Sequence, residues 1–226
     1  MVITGLIATA VNAIAVVIGS LTGFFLKKGL PHNIKEILFF GAGLTTLGIG
    51  MSMVMKVNNF LIVLASMVIG GVIGELLDIE GFLKRLGDKM QEGDFSTGFM
   101  MSSVLFLVGP MTIVGSINAG LTGDASLIYL KSLLDGISSF ILGSMYGLGV
   151  TVSAISVLIV QGSIVLLSSY LGFLTQPLYL NDLVAVGGVM ILGIGLKVLG
   201  IKDTRVGNFL PALVVEPLLV FIVSLF

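Results

Sequence analysis

Residues 41–51 read GAGLTTLGIGM, and residues 187–197 read GGVMILGIGLK. The string LGIG lies at 47–50 and returns 145 residues later, at 192–195. Similarity to itself at a fixed spacing is the signature of an internal structural repeat. The chain is therefore predicted to use one structural unit twice.

Further strings repeat around this pair, in the same order along the chain. The tripeptide Asn-Phe-Leu follows it at 59–61 and again at 208–210. Upstream, GFFL at 23–26 corresponds to LGFL at 171–174. Three landmarks in one order extend the repeat to most of each half of the chain.

The composition of the chain is that of a protein buried in lipid. Of its 226 residues, 56% are hydrophobic and only 10% are charged, with 31 Gly and a mean hydropathy of +1.17. A soluble domain carries about 25% charged residues. An ordinary globular enzyme and a disordered protein are therefore excluded, and an integral membrane protein is expected.

Charge and reactive side chains narrow the function classes further. The net charge is −1, so the basic excess that a nucleic-acid partner requires is missing. The sequence has no Cys and a single His, His32, which leaves little for disulfides, thiolate metal sites or Ser/His catalysis. We therefore expect no enzyme activity and no prosthetic group.

Eight segments are long and apolar enough to cross a bilayer, which takes about 20 residues per helix. Their apolar runs are continuous, which favours helices over the alternating strands of a membrane barrel. The predicted fold is an all-α integral membrane protein with eight transmembrane helices. They are predicted at 3–26, 36–55, 58–77, 97–120, 125–148, 150–173, 182–200 and 206–226.

Basic loop residues predict the orientation of these spans. Cytoplasmic loops of membrane proteins carry an excess of Lys and Arg. With eight crossings, three basic loops share one side, and Lys56 is the only basic residue in the opposite loops. Both termini are therefore predicted on the extracytoplasmic side. The basic loop residues are Lys27, Lys28 and Lys35 after span 1, Lys84, Arg85 and Lys89 after span 3, and Lys202 and Arg205 after span 7.

The two copies of the repeat are five spans apart, so they cross the membrane in opposite directions. Many secondary transporters consist of such inverted repeats. We predict a single membrane domain over 1–226. It divides into repeat 1 at 1–78, an interfacial cytoplasmic helix and loop at 79–95, two central helices at 96–149 and repeat 2 at 150–226.

Span 5 carries two charges at membrane depth, Lys131 and Asp135. At 1.5 Å per residue, Asp135 lies about 15 Å from the start of its helix, near the middle of the bilayer. A carboxylate there costs about 2.5–3.5 kcal/mol on insertion scales. Lys131 lies one turn earlier on the same face and is predicted to pair with it. The pair is either structural or a binding and coupling site, and intramembrane charges favour the second.

Span 8 contains a further acid, Glu216, between Pro211 and Pro217. Each proline removes an amide donor, so the span is predicted to be kinked or partly unwound around the acid. Free carbonyls beside a carboxylate are suited to Na⁺, and a proton-carrying acid and a hydrogen-bonded structural Glu remain alternatives.

Span 4 is the most irregular segment, with the sequence GPMTIVGSINAGLTGD at 109–124. Gly-Pro in the middle of a span should interrupt the helix. Irregular backbone at membrane depth is tolerated only where protein buries it or where it lines a wet cavity. This segment is therefore either a purely structural kink or a contact for a substrate or an ion such as Na⁺, and we favour the second. Its candidate residues are Gly109, Pro110, Thr112, Ser116 and Asn118.

A few uncharged polar residues complete the candidate set. Asn12 and Gln161 lie at comparable middle positions of spans 1 and 6, and Asn208 opens span 8. Each is an interhelical hydrogen bond or a ligand contact, and the first is the more usual role. The matching positions of Asn12 and Gln161 indicate a pseudo-symmetric pair.

Several of these strings resemble one bacterial family. The chain is similar to the YqgA/YdfK-like bacterial inner-membrane proteins of domain of unknown function 554. The resemblance implies a bacterial plasma-membrane location and activity as a transporter or a sodium channel. The matching strings are VNAIAVVIGSLTG (11–23), GPMTIVGSINAGLTGD (109–124), KSLLDG (131–136), QGSIVLL (161–167) and NFLPAL (208–213).

Together these features predict a cation- or proton-coupled secondary transporter of a small polar solute or ion. The expected site lies between spans 4, 5 and 8, with Asp135 and Glu216 as coupling acids and Lys131 as counter-ion or anion contact. Na⁺ or H⁺ is the expected coupling ion, and a homodimer is expected because one small chain encloses little space. An ion channel and a non-transporting scaffold or regulatory protein are the alternatives.

Overall fold

A computed structural model describes residues 1–27, 32–82, 85 and 95–225. Within these residues all regular structure is helical. The α-helices are α1 (Val2–Lys27), α2 (His32–Val54), α3 (Phe60–Leu76), α4 (Phe95–Leu107), α5 (Pro110–Thr122), α6 (Ser126–Tyr146), α7 (Leu148–Leu166), α8 (Ser168–Leu171), α9 (Pro177–Val198) and α10 (Ala212–Val223). Two short 3₁₀ helices cover Gly172–Thr175 and Val206–Phe209.

The helical membrane class is confirmed, while eight crossings remain a prediction. By length and hydropathy, five helical segments of the described chain can span a membrane, or six if α4 and α5 form one bent span. The predicted spans 36–55 and 58–77 lie on α2 (His32–Val54) and α3 (Phe60–Leu76). Each of the eight predicted segments is therefore helical along most of its described length, and span 4 is divided between α4 and α5.

The predicted interruption of span 4 is present. Helix α4 ends at Leu107 and α5 begins at Pro110, with a bend of 55° between them. Gly109 has an extended backbone at the N-cap of α5 and Pro110 takes the first helical position. A proline is favourable there because its missing amide would have no intrahelical partner. Gly-Pro therefore ends one helix and starts another.

Two other predictions differ from the structure. Partial unwinding at Glu216 is wrong, because α10 is an unbroken α-helix from Ala212 to Val223, and a kink at Pro217, which lies inside this helix, stays a prediction. The irregular segment lies earlier, at the 3₁₀ helix, and Pro211 caps α10, where it displaces no hydrogen bond of the helix. The predicted start of span 7 at residue 182 is also wrong, because α9 begins at Pro177 and places Asp182 in its second turn.

The predicted interfacial helix at 79–91 lies mostly outside the described residues. Residues 79–82 begin a helical turn, and 83–84 and 86–94 are not described. Just before it, Asp78 binds Arg85 in an exposed ion pair of 2.9 Å. The hydrogen bond from Arg85 holds the pKa of Asp78 below its usual value.

The chain forms two compact units that do not follow the order of the sequence. Unit 1 contains Met1–Pro31 and Met90–Thr175, and so it includes α1 and α4 to α8. Unit 2 contains His32–Lys89 and Gln176–Phe226, and so it includes α2, α3, α9 and α10. Each unit therefore combines helices from both predicted repeats.

Glycines bring the helix backbones of unit 1 into direct contact. A methyl group on Gly23 would collide with the carbonyl oxygen of Phe140, and one on Gly19 with that of Gly136. Small residues spaced four apart allow such close approach in lipid, where van der Waals contact drives helix association. The small-residue spacing of the sequence thus marks where α1 packs on α6.

Replacing Gly23 by Ala should destabilise the protein by about 1–3 kcal/mol, the usual effect of overpacking a tight contact. Gly48→Ala is the matched control, because a methyl group there meets nothing within 4 Å. It should instead stabilise α2 by up to about 1 kcal/mol through helix propensity. Thermal unfolding in detergent measures both variants, and equal effects would contradict the packing assigned to Gly23.

Candidate functional site

Unit 1 holds a cluster of buried polar side chains contributed by three helices. We call it the polar core and define it as Asn12, Lys131, Asp135 and Gln161. The amide nitrogen Nδ2 of Asn12 donates to Asp135 Oδ2 at 3.1 Å and to Gln161 Oε1 at 3.0 Å. Lys131 Nζ donates to the same Asp135 Oδ2, which confirms the predicted pair. All four side chains are buried.

The packing of α1 on α7 positions the two amides. These helices run antiparallel, with Gly5 against Val165 at one end of the contact and Ser20 bonded to Thr151 at 2.9 Å at the other. Asn12 and Gln161 meet between these points, near the middle of both helices. The two residues predicted as a pseudo-symmetric pair are therefore in direct contact.

An apolar layer lies one helical turn from the polar core. Residues four apart on a helix share a face, so Ala8 lies next to Asn12 and Val165 lies next to Gln161 on the same side. The packed layer consists of Ala8, Ala119, Ala125, Ile128 and Val165, all buried. Water is excluded on this side, which strengthens every electrostatic interaction in the core.

The charges of the polar core compensate each other. Removing a charged group from water costs several kcal/mol unless a partner and hydrogen bonds offset it. Asp135 receives two donors, and the ammonium of Lys131 also lies 5.6 Å from the ring centre of Phe106. A cation over an aromatic face gains up to about 2 kcal/mol when it is desolvated.

Several buried polar atoms of unit 1 lack a partner among the described residues. They are Asn12 Oδ1, Gln161 Nε2, Ser116 Oγ and Ser139 Oγ, all buried. Buried polar atoms are normally hydrogen-bonded, and each exception requires an explanation. The set contains acceptors, an amide donor and hydroxyls, so a small polar molecule or water could satisfy it.

The interruption between α4 and α5 is tied to the polar core through Phe106. Thr112 Oγ1 donates to the carbonyl of Phe106 at 2.6 Å and so bridges the break. A methyl group on Gly109 would meet nothing within 4 Å, so this glycine is not required by packing. Asn118 is half-buried on α5, and its carbonyl accepts from Thr122 Oγ1 at 2.8 Å. Nothing further is described of the Pro110 side chain.

The other candidate residues belong to unit 2. Glu216 is fully buried on α10, and neither carboxyl oxygen has a partner in the described part of the chain. Asn208 is engaged at both ends of its amide: Nδ2 donates to Glu75 Oε2 at 2.5 Å, and Oδ1 accepts from the backbone of Glu80 at 2.7 Å. Asn208 thus joins the 3₁₀ helix to the end of α3. The predicted site is therefore divided between residues of both units.

Four residues of these clusters were missed by the sequence analysis. Ser139 continues the Lys131–Asp135 spacing by one more turn, a signal that could have identified it. Phe106 and Asp182 carry no local signal, because their roles depend on which helices meet. Glu80 is buried and binds Lys197 Nζ at 3.1 Å and the Gly207 amide at 2.9 Å, and the charge run around it indicated a solvated face.

A metal centre built from protein side chains finds no support where the chain is described. No group of three or more His, Cys, Asp or Glu residues there could hold a metal ion. The Na⁺ contacts predicted near Glu216 or Asn118 would therefore depend on backbone and amide oxygens.

These features define a class: a helical membrane protein with buried charge inside its bundle. The chain matches the family described as Protein of unknown function (DUF554) over residues 7–221, and it belongs to that family. The resemblance noted from the sequence is thereby confirmed.

Two curated relatives extend along nearly the whole chain. Uncharacterized membrane protein YdfK of Bacillus subtilis (strain 168) is 29% identical over 222 residues, covering 96% of this chain and 97% of that protein. Uncharacterized protein YqgA of Escherichia coli (strain K12) is 32% identical over 214 residues, covering 90% and 91%. No solved structure matches the chain.

Substitutions in the polar core should show unequal effects on stability. Asp135→Leu leaves the buried Lys131 without its carboxylate and should cost about 3–5 kcal/mol. The double variant Lys131→Met/Asp135→Leu should recover most of that loss, because an apolar replacement of both partners is often neutral. Thermal unfolding tests this order, and additive losses in the double variant would contradict a mutual pair.

Proposed function

We propose that the chain is a cation- or proton-coupled secondary transporter of a small polar solute or ion in the bacterial plasma membrane, with the polar core as its binding site. The observation that carries this proposal is the hydrogen bond between Asn12 and Gln161 beside a buried ion pair. These amides are 149 residues apart, the same spacing as Asn59 and Asn208 in the repeated strings. If Asn12 and Gln161 are equivalent positions of the two repeats, their contact lies on a two-fold axis that relates α1 to α7.

Reciprocal contacts between α2 and α9 support an inverted repeat. A methyl group on Gly50 would touch Leu192, and one on Gly195 would touch Leu47. With the offset of 145 residues, the second contact is the symmetry-related copy of the first. Reciprocity of this kind is typical of a two-fold interface.

A second reciprocal set lies one to two turns further along the same helices. Gly43 lies against Val198 and Leu199, and its equivalent Gly188 lies against Met53 and Val54. Met53 and Val54 correspond to Val198 and Leu199 at the same offset. Substrate sites of inverted-repeat transporters lie near the midplane at the repeat interface, which is where Asn12 and Gln161 stand within α1 and α7.

The chemistry of the polar core suggests the class of solute. Lys131 and Asp135 neutralise each other, while the amide oxygen of Asn12, the amide nitrogen of Gln161 and the hydroxyl of Ser139, one turn from Asp135, have no described partner. A small solute with both donors and acceptors, such as an amino acid or a hydroxy acid, matches this set. Asp135 and Glu216 are proposed as coupling acids for Na⁺ or H⁺ and Lys131 as counter-ion, and a homodimer is proposed as the assembly.

A thermal-shift screen of the purified protein tests ligand binding directly. The probes are NaCl against KCl, the common amino acids and small hydroxy and dicarboxylic acids. A ligand that binds only the folded state stabilises it by about 2.7 kcal/mol at 100 times its Kd. The shift should disappear in Gln161→Leu and persist in Ser20→Ala, which removes another hydrogen bond of the same helix pair.

Uptake into proteoliposomes tests transport with the solute that the screen identifies. Asp135→Asn keeps the shape of the side chain and removes its charge, so coupled uptake should fall to the level of empty liposomes. Lys131→Met/Asp135→Leu should also be inactive although it folds. Normal uptake by Asp135→Asn would remove this carboxylate from the mechanism.

An ion channel is a second candidate, favoured by the break between α4 and α5 and the open space at Gly109. A channel predicts single-channel currents in planar bilayers and an ion flux that does not saturate as the flux through a carrier does.

A scaffold or regulatory protein predicts that no probe shifts the melting temperature and that neutral replacements of Asp135 and Glu216 are tolerated.

The proposed topology has eight crossings, with both termini outside the cytoplasm. Because the chain lacks Cys, single introduced cysteines report their side of the membrane through an impermeant maleimide. Ser224→Cys should label in intact cells and Lys202→Cys only after permeabilisation. Labelling of Lys202→Cys from outside would indicate that span 4 returns to the side it entered from.

A further inference from the structure

Glu216 of unit 2 is the buried charge for which the described residues supply the least compensation. Its side chain is completely buried, and both carboxyl oxygens lack a described hydrogen-bond partner. By contrast, Asp135 of unit 1 receives an ammonium and an amide. An ionised carboxylate without such partners is so costly in a dry interior that it neutralises instead.

The packing of α3 on α10 fixes what lies at the level of Glu216. Gly70 contacts Ala212 and Gly74 contacts Asn208, so the two helices are antiparallel and in register. One more turn in the same direction brings Ser66 to the level of Glu216. Ser66 Oγ donates to the carbonyl of Ile62 at 2.7 Å, so its lone pairs remain available to accept a hydrogen bond from a protonated carboxyl group.

The charged groups of the elements around Glu216 are engaged elsewhere. Glu75 at the far end of α3 binds Arg205 at 2.7 Å and Asn208 at 2.5 Å. Lys197 at the far end of α9 binds Glu80 at 3.1 Å and Asp203 at 3.3 Å. Three further basic residues of this unit, Lys56, Arg85 and Lys202, are solvent-exposed.

A second buried acid of this unit is Asp182 of α9. Asp182 Oδ1 accepts the backbone amides of Asn58 and Asn59 at 2.6 Å and 3.1 Å, while its Oδ2 has no described partner. Asn59 is the N-cap of α3, so Asp182 binds the backbone at the start of that helix. Unlike Glu216, Asp182 therefore has two backbone donors on one of its oxygens.

We propose that Glu216 is a proton-binding site of unit 2. A proton needs only one carboxyl oxygen and leaves a neutral acid that fits an apolar interior. Sodium requires several oxygen ligands around it, and in the described part of the chain no group of three or more His, Cys, Asp or Glu residues could hold a metal ion. Proton binding at Glu216 does not depend on transport. If the chain is a transporter as proposed above, this site makes H⁺ the coupling ion.

Infrared spectroscopy of the purified protein tests protonation without any transport assay. A carboxyl group that carries a proton gives a C=O stretching band distinct from that of a carboxylate. At neutral pH this band should be present in the wild type and weakened in Glu216→Gln and in Glu216→Met. Methionine is a natural choice, because the repeat offset of 149 residues makes Met67 the equivalent of Glu216. Glu75→Gln, an exposed acid of α3, is the control and should leave the band unchanged.

The pH dependence of stability gives a second readout. If Glu216 is protonated in the folded protein and ionised in the unfolded protein, the folded state binds one proton more than the unfolded state. Stability therefore falls as pH rises above the ordinary range of a free carboxyl, by up to tenfold in the folding constant per pH unit. Both Glu216 variants should flatten this slope, and Glu75→Gln should keep it.

Three outcomes would overturn the proposal. The first is a carboxyl band that is unchanged in both Glu216 variants. The second is failure of Glu216→Gln to fold, since a neutral isostere must fit wherever the protonated acid fits. The third is a stabilisation by NaCl over KCl that disappears in Glu216→Gln, which would assign the site to Na⁺. None of these outcomes depends on solute uptake, so they are distinguishable from a failure of the transporter proposal.

Discussion

The ion pair of Lys131 and Asp135 sets the conditions that the rest of unit 1 satisfies. Two opposite charges in a dry bundle are stable only with close partners, and Asn12 and the ring of Phe106 supply them. Asn12 can reach Asp135 because α1 approaches α6 closely, and that approach is possible because Gly19 and Gly23 have no side chains. The glycines therefore allow the close backbone contact that brings the charges and the amides together. Without these contacts, the polar groups would be unfavourable in lipid.

The helix pairs α1–α7, α2–α9 and α3–α10 share a plan but differ in their centres. Each joins one helix of the first predicted repeat to its antiparallel counterpart in the second. The centre of the first pair is an amide pair, that of the second is Leu and Gly, and that of the third is Ser66 and Glu216. The common register is what the predicted repeat requires, while the different central residues allow each pair a separate chemical role.

Sequence reasoning recovered what is encoded locally. Apolar length identified the helices, Gly109-Pro110 located the break, and a spacing of four residues predicted the Lys131–Asp135 pair. Prolines were less informative: the same rule predicted unwinding at Glu216, whereas Pro211 caps α10. What could not be predicted depends on partners distant in sequence, such as the contact of Asn12 with Gln161 or the capping of α3 by Asp182. The predicted boundary of span 7 was a further source of error. It placed Asp182 at the edge of the span, so Asp182 was not counted among the buried acids.

The interleaving of the two units has a consequence for biosynthesis. Helix α1 is synthesised before α7, so its contact with Gln161 must wait until α7 has been added. Helices α2 and α3 likewise wait for α9 and α10, which complete their unit. Until those helices are synthesised, the earlier helices lack their native partners, and termination of synthesis before α10 leaves unit 2 incomplete.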